Sequence, residues 1–436
     1  MPVAVPHLLL VAVVRLAALE TARRSGQFGA LLFVDLDNFK RLNDARGHSL
    51  GDRLLVEVAA NLSRRLRVGD TVARLGGDEF VVLLNNLGRD MDQAVQGSMA
   101  VAEMIRAALE TTSTIDGHAY SGTASIGVTL FPKAGDAVDN LLREADTAMY
   151  QAKGRGRNRI SYFEPRMQLE AEERLGLEQD LKHAIERGEI LVYVQPQFDA
   201  SLTETGAELL LRWQHPRRGM VSPAEFIPIA ENSDLILKLG DLVLRRACAA
   251  LTELDIAGRS LQLSVNISPR QFNQDDFVAN ARAIIKASGA PVANLVFEVT
   301  EGLFIDHWED VAAKMTQLTQ LGVQFSVDDF GTGYSSLAYL KKLPFKEIKI
   351  DKQFVQNTPI DANDRAIVRS IFAVAKAFKL RVVAEGVETQ AQADFLAQQQ
   401  CDGYQGYLYA RPMPIDAWLA QDSRIAGILR EPSRLR

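Results

Sequence analysis

A chain of 436 residues, 47% hydrophobic and 24% charged, has the composition of a folded protein larger than one core usually organises, which sets aside disorder or a membrane bundle and predicts two domains. Its formal charge of −6 and pI near 5.7 exclude a global positive field for nucleic acid or an anionic membrane surface, so an anionic ligand must meet local basic groups. Cys248 and Cys401 lie far apart with no metal-type spacing, which argues against a disulfide framework and points to a reducing compartment, the cytoplasm.

The apolar run Val3 to Leu19 is interrupted by Pro6, His7 and Arg15 and lacks a basic leader and a cleavage site. It reads as an amphipathic helix within residues 1–24 rather than a signal or a span, with a membrane-surface anchor as the alternative. Ala30 to Asp35 is an apolar strand, Gly51 to Arg67 a helix, and Thr71 to Asn85 two strand-like runs around Gly76-Gly77. A helix near Gln93 to Leu109, a strand at Ala119 to Leu130 and a helix through Ala148, ending in Lys153-Gly154-Arg155-Gly156-Arg157, complete an α/β unit with a central sheet at 25–163. Leu169 to Glu186 is charged and helical, which predicts a connector over 164–188 with the boundary near Pro165.

The second half changes rhythm. Short apolar runs at Ile190 to Gln195, Glu208 to Trp213, Leu261 to Ile267, Leu295 to Thr300, Val323 to Asp328, Glu347 to Asp351, Arg381 to Glu385 and Cys401 to Tyr407 are separated by helix-length stretches. Eight such runs predict a (β/α)8 TIM-like barrel over 189–420, with 421–436 a tail; an open doubly wound sheet is the alternative.

Polar residues interrupt these buried runs. Glu208, Asn266, Glu298, Asp328 with Asp329, Lys349, Glu385 and Gln405 each fall within or at the end of a different run, and in a parallel barrel those ends face one mouth. Burying so many carboxylates requires a cation. Oxygen ligands with one amide and no thiolate or histidine point to Mg²⁺ or Mn²⁺. Adjacent aspartates suit two ions, and two ions suit an in-line phosphodiester displacement, since they clamp attacking and leaving oxygens and acidify the water between them.

Gly206 to Trp213, Ser264-Val265-Asn266-Ile267-Ser268, Glu298-Val299-Thr300-Glu301, Asp328 to Ser336, Lys349-Ile350-Asp351, Glu385-Gly386-Val387-Glu388 and Gln405-Gly406-Tyr407 resemble the motif series of EAL-type cyclic di-GMP phosphodiesterases over about Leu175 to Pro414. The resemblance implies that Glu208, Asn266, Glu298 and Asp328 hold one metal ion and Asp328, Asp329 and Glu385 the other. It implies that Lys349 assists the nucleophilic water, Gln405 orients it, Arg212 and Gln195 contact cyclic di-GMP, and Glu301 fixes the Asp-Asp loop. The signature reads Glu208-Leu209-Leu210, with leucine where alanine is usual; packing on the outer face of the strand is expected to absorb it. The stretch after Gln195-Pro196 is short of the family pattern, which predicts a shortened hairpin.

In the first half, Val34 to Asp44, Gly47-His48, Gly51-Asp52 and Arg74 to Phe80 resemble a GGDEF diguanylate cyclase domain over about Ser25 to Tyr162. By that resemblance Asp35 and Glu79 hold Mg²⁺ on GTP, Asn43 and Asp52 read guanine, and Lys40, Lys153 and Arg157 neutralise phosphates, with Asp78 completing the signature loop. Arg67 and Asp70 stand at the spacing of a product-inhibition site, although such a pair also caps helix ends. The family's opening Asp-x-Leu-Thr-x-Leu-x-Asn-Arg segment is replaced by Met1 to His7, which predicts GTP binding without turnover. The expectation is a phosphodiesterase opening cyclic di-GMP to linear pGpG under a GTP- or product-sensing domain, associating as a homodimer through either domain. A bifunctional enzyme and a silent cyclic di-GMP receptor are the alternatives.

Overall fold

All eight residues of β1 (Gly29–Leu36) are buried, so the strand lies at the centre of a sheet covered on both faces. The period of two divides its side chains: Ala30, Leu32, Val34 and Leu36 enter one apolar cluster, Leu31 and Phe33 the other. Helices His48–Arg65 and Met91–Glu110 fill the first face and helix Val138–Gly154 the second. The computed structural model describes residues 18–110, 113–115, 118–120, 122–133, 137–304, 308–331 and 337–421. The expected N-terminal helix before residue 18, with Met1 to His7, the stretch Thr332 to Ser336 and all but the first residue of the expected tail lie outside them.

With β2 (Thr71–Gly76), β3 (Glu79–Leu84), β6 (Ala124–Phe131) and β7 (Ile160–Tyr162), β1 makes a sheet of order β2-β3-β1-β6-β7. The short strands β4 (Ser113–Ile115) and β5 (His118–Tyr120) pair separately, so the expected strand at Ala119 to Leu130 is two elements. Gly127 on β6 lets helix Val138–Gly154 approach: an added Cβ would lie 1.9 Å from the Ala145 carbonyl oxygen and 2.3 Å from the Met149 nitrogen.

Helix Pro165–Arg187 runs without interruption, and the chain divides within it into two compact units, the first ending at Leu175 and the second beginning at Gly176. In the second unit β8 (Ile190–Asp199), β9 (Glu204–His215), β11 (Gln262–Asn266), β12 (Leu295–Thr300), β13 (Gln324–Phe330), β14 (Phe345–Ile350), β15 (Arg381–Ala384) and β16 (Gly403–Tyr404) follow one another in hydrogen-bonded order, and β8 pairs with both β16 and β9. The ring closes as a TIM-like barrel, which removes the open-sheet alternative. Two short strands, β10 (Gly219–Val221) and β17 (Met413–Pro414), flank it on β9 and β8.

One strand departs from the expected all-parallel ring. β8 is antiparallel to both neighbours, because only residues 200–203 link it to β9, and a parallel crossover needs a dozen residues or more. Among the described residues no helix is long and apolar enough to cross a membrane.

Leu209 is buried in the barrel's main apolar cluster with Val243, Leu244 and Ala247 of helix Leu235–Ile256. Its side chain is therefore part of the core, and Leu209→Ala is expected to cost about 2–5 kcal/mol in denaturant unfolding of the barrel. Gly127→Ala must displace backbone in the N-terminal unit, and its unfolding transition is expected to fall by about 1–3 kcal/mol while the barrel transition stays in place.

Candidate active site

Strand register, parallel except at β8, brings the polar residues to one end of the barrel. Asn266 lies opposite Glu298, Thr300 opposite Asp328, and Gln195 opposite Glu208. Lys349 on β14 is fully buried and reaches across the ring, with Nζ 2.8 Å from Glu298, 3.2 Å from Glu208, 3.4 Å from Asp328 and 2.5 Å from Glu385. Asn266 donates from Nδ2 to Glu208 Oε1 at 2.7 Å.

Five carboxylates against one ammonium leave four negative charges when all are ionised, and the proton affinities record the strain. Burial alone would strip the proton from Lys349, but Asp328, Glu208, Glu298 and Glu385 hold it well above the usual lysine range. Burial drives Glu298 well above the ordinary carboxylate range despite Lys349, and pushes Glu385 up to about 8. Burial, the contact with Asp351 and the charge of Asp328 push Asp329 up to about 7. Glu208 goes the other way: its burial is outweighed by Lys349 and by hydrogen bonds from Gln405 and Asn266.

The donor set fits divalent cations. One oxygen each of Asp328, Asp329 and Glu385 lies within 4.8 Å of the others, and Glu298 Oε1 is buried with no hydrogen-bond partner. The geometry behind the pair is strained: Asp329 has φ of +52°, a left-handed conformation rare outside glycine. Glu301 Oε1 accepts the Gly331 N–H at 2.7 Å and ties down the following turn, and Asp351 caps helix Lys352–Asn357 while meeting Asp329.

Gln405, just after β16, donates from Nε2 to Glu208 Oε2 at 2.7 Å and to Gln195 Oε1 at 3.2 Å, and accepts from Gln197 Nε2 at 2.9 Å. Arg212 lies over the Tyr193 ring, 5.6 Å from its centroid, and makes no ion pair with a described carboxylate. A cavity of about 510 Å³ opens beside Arg212 and Asn266, walled by Leu211, Ile227, Leu239 and Val243.

In the N-terminal unit Asp35 sits directly opposite Glu79, at the end of β1 whose parity points it to the face of helix Val138–Gly154. That helix supplies Lys153, whose Nζ lies 2.7 Å from Asp35 Oδ2. Burial raises Asp35 to about 6 even with Lys153 beside it, and Glu79 is raised by burial, Asp146 and Asp78. Asn43 Oδ1 is buried without a partner, against Gly51, where a Cβ would stand only 1.9 Å away. Lys40, Asp52 and Arg157 are exposed, and among the described residues no hydrogen bond or ion pair links them to Asp35 or Glu79. Arg67 and Asp70 lie apart from this group: both Asp70 oxygens accept backbone N–H groups, from Arg67 and Asn85, and close the turn before β2.

At these sites Gln197 and Asp146 escaped the sequence reading, and Asp351 entered it only as part of a motif, with no role. Gln197 shares a strand face with Gln195 two positions away, Asp351 follows Lys349 by the same step, and Asp146 lies two helical turns before Lys153. In each case the periodicity was the available signal.

Residues 155–412 match the EAL domain family, and residues 16–159 match the family described as diguanylate cyclase, GGDEF domain. The chain is 41% identical over 405 residues to the bifunctional diguanylate cyclase/cyclic di-GMP phosphodiesterase MucR of Pseudomonas aeruginosa, covering 92% of this chain and 58% of that one. It is 37% identical over 401 residues to the cyclic di-GMP phosphodiesterase NbdA of the same organism, covering 92% and 50%. The chain thus spans about half the length of these curated relatives. Among solved structures, the PaMucR phosphodiesterase in complex with c-di-GMP is 39% identical with a TM-score of 0.54, over 56% of this chain and 99% of that one. The EAL enzyme Bd1971 in its cAMP- and cyclic-di-GMP-bound form is 29% identical with a TM-score of 0.55, over 69% and 81%. The chain belongs to the EAL domain family, with a GGDEF domain in tandem ahead of the barrel.

Proposed function

We propose that the barrel hydrolyses cyclic di-GMP to linear pGpG with Mg²⁺ or Mn²⁺, in the cytoplasm and as a homodimer, and that the N-terminal domain binds GTP or product and regulates it. The observation that carries this reading is the ring of Glu208, Glu298, Asp328 and Glu385 around Lys349, with Asp329 beside it, whose four excess negative charges two divalent ions would cancel. The cyclic di-GMP complexes of similar EAL structures support the ligand. Both cysteines are buried and unpaired, which fits a reducing compartment.

Glu208, Asn266, Glu298 and Asp328 would hold one ion, and Asp328, Asp329 and Glu385 the other. When bound, the pair supplies Lewis-acid polarisation of the scissile phosphate and acidifies water. Arg212, which forms no ion pair with a described carboxylate, grips a phosphate oxygen, and the adjoining cavity takes apolar and base surface. Gln405 orients the attacking water and Lys349 offsets charge as it develops. Water gives up a proton as it adds to phosphorus, the P–O3′ bond breaks, and the departing 3′ oxygen takes up a proton in its place. Glu301 holds the turn after Asp329, so the two aspartates keep their spacing.

The juxtaposition of Asp35, Glu79 and Lys153 supports GTP binding in the first domain, with Asn43 and Asp52 towards guanine, Lys40 and Arg157 towards phosphates, and Arg67 offering a contact to product. The intact Asp35–Glu79 pair and the bifunctional MucR relative favour a second reading, in which the domain also makes cyclic di-GMP.

Incubating the full chain with cyclic di-GMP and Mn²⁺, and separately with GTP and Mg²⁺, then resolving the nucleotides, separates these readings. The expected result is pGpG from the first; cyclic di-GMP bound but uncleaved would refute hydrolysis, and cyclic di-GMP made from GTP would establish the second reading. Glu208→Ala is expected to lower turnover by at least about a thousandfold, and wild-type turnover in that variant would sink the ligand set. Mn²⁺ or Mg²⁺ is expected to raise the barrel's melting temperature over that in chelator, because the ions relieve the repulsion among the five carboxylates.

A further inference from the structure

Gln405 can orient a water only if its own amide is held in one direction. β8 carries Gln195 and Gln197 two residues apart, so both side chains fall on one strand face, and both are buried. Tyr404 pairs with Phe198, which brings Gln405 alongside Gln197.

The two ends of this amide chain dictate its polarity. The carboxylate of Glu208 only accepts, so the Gln405 atom 2.7 Å from it is the nitrogen. The Ala410 carbonyl also only accepts, so the Gln195 atom 3.1 Å from it is a nitrogen, and Gln195 Oε1 takes the second Gln405 proton at 3.2 Å. Both Gln405 donors are then engaged. Its Oε1 accepts from Gln197 Nε2 at 2.9 Å and keeps one lone pair. Turning the Gln405 amide over would set its oxygen against two acceptors and its nitrogen against the Gln197 nitrogen.

We infer that Gln197 is a positioning residue for the hydrolysis: by donating to Gln405 Oε1 it anchors the oxygen end of the amide and holds the rotamer in which that amide contacts Glu208. The inference rests on the proposed role of Gln405. It separates two substitutions of nearly equal size, since Gln197→Met removes the donor while Gln197→Glu sets an acceptor against an acceptor.

The test uses the full chain with cyclic di-GMP and Mn²⁺. Gln197→Glu is expected to lower kcat by about a hundredfold with KM within about threefold of wild type, and Gln197→Met to lower kcat by about tenfold. A Gln197→Glu protein that melts like wild type and keeps its kcat, or that changes KM alone, overturns the inference. If Gln197→Glu does not fold, Gln197→Met decides, and a kcat within about twofold of wild type overturns it. A second readout is independent of turnover. In ¹⁵N-glutamine-labelled protein the side-chain amide signal of Gln405, identified by its loss in Gln405→Leu, is expected to move in Gln197→Glu and in Gln197→Met. An unmoved signal in both overturns the inference even where wild type cleaves. A wild-type chain that cleaves nothing defeats the hydrolase reading, while the amide signal still tests the lock.

Discussion

Everything in the barrel answers to one buried ammonium. Lys349 takes a charge wholly out of water, and it stays protonated because carboxylates from β9, β12 and β13 and from the residue after β15 converge on it. A buried ion pair rarely repays its desolvation unless geometry is tight and further hydrogen bonds satisfy the remaining lone pairs. Tightness here comes from strand register, since a slip of one residue would turn Glu208, Glu298 or Lys349 to the outer layer. Yet the single cation is too little. Glu298 and Glu385 are pushed toward protonation and Glu298 keeps an unpartnered oxygen, so the arrangement is under-neutralised by the set of residues as a whole rather than by any one misplaced group.

The N-terminal site solves the same problem with a looser part. Asp35 is buried at a strand end and Lys153 neutralises it, but Lys153 stands at the end of a helix with nearly a third of its side chain exposed. Solvent reaches that pair, so its attraction is screened and cheap to exchange for another cation or for a phosphate. Lys349, walled in by strands, has no such freedom. The difference follows from what each lysine is anchored to: a strand in the middle of a closed ring in one case, the last turn of a helix seated on Gly127 in the other.

Much of this was legible in the sequence, for identifiable reasons. Eight apolar runs became the eight barrel strands, and in the seven that run parallel, burial on both faces leaves little alternation to blur the signal. Polar residues inside such runs stood out for the same reason, and the structure brings Glu208, Glu298, Asp328, Lys349 and Glu385 within ion-pair reach. What stayed hidden depended on direction and partnership. Only the short link after Asp199 signals that β8 runs backwards, and Gln197 gains meaning only once Gln405 is known to lie beside it. The charge pair Arg67 and Asp70 shows the opposite case: a spacing with two readings, where this conformation engages the Asp70 carboxylate with backbone N–H groups.

The altered signature at Leu209 shows how a strand separates chemistry from packing. Glu208 and Arg212 are four residues apart and share one face, while Leu209, Leu211 and Trp213 occupy the other. On that second face Leu209 has joined a continuous apolar layer with Val243 and Leu244, and the Glu208 carboxylate still meets Lys349, Asn266 and Gln405. Position 208 must therefore supply a carboxylate at fixed distances from three partners, whereas position 209 must supply volume that a neighbouring helix can close over. A methyl or an isobutyl group can meet the second requirement, provided the helix adjusts; only glutamate at its present length meets the first. The signature's middle residue is thus the one free to vary without touching the reacting groups.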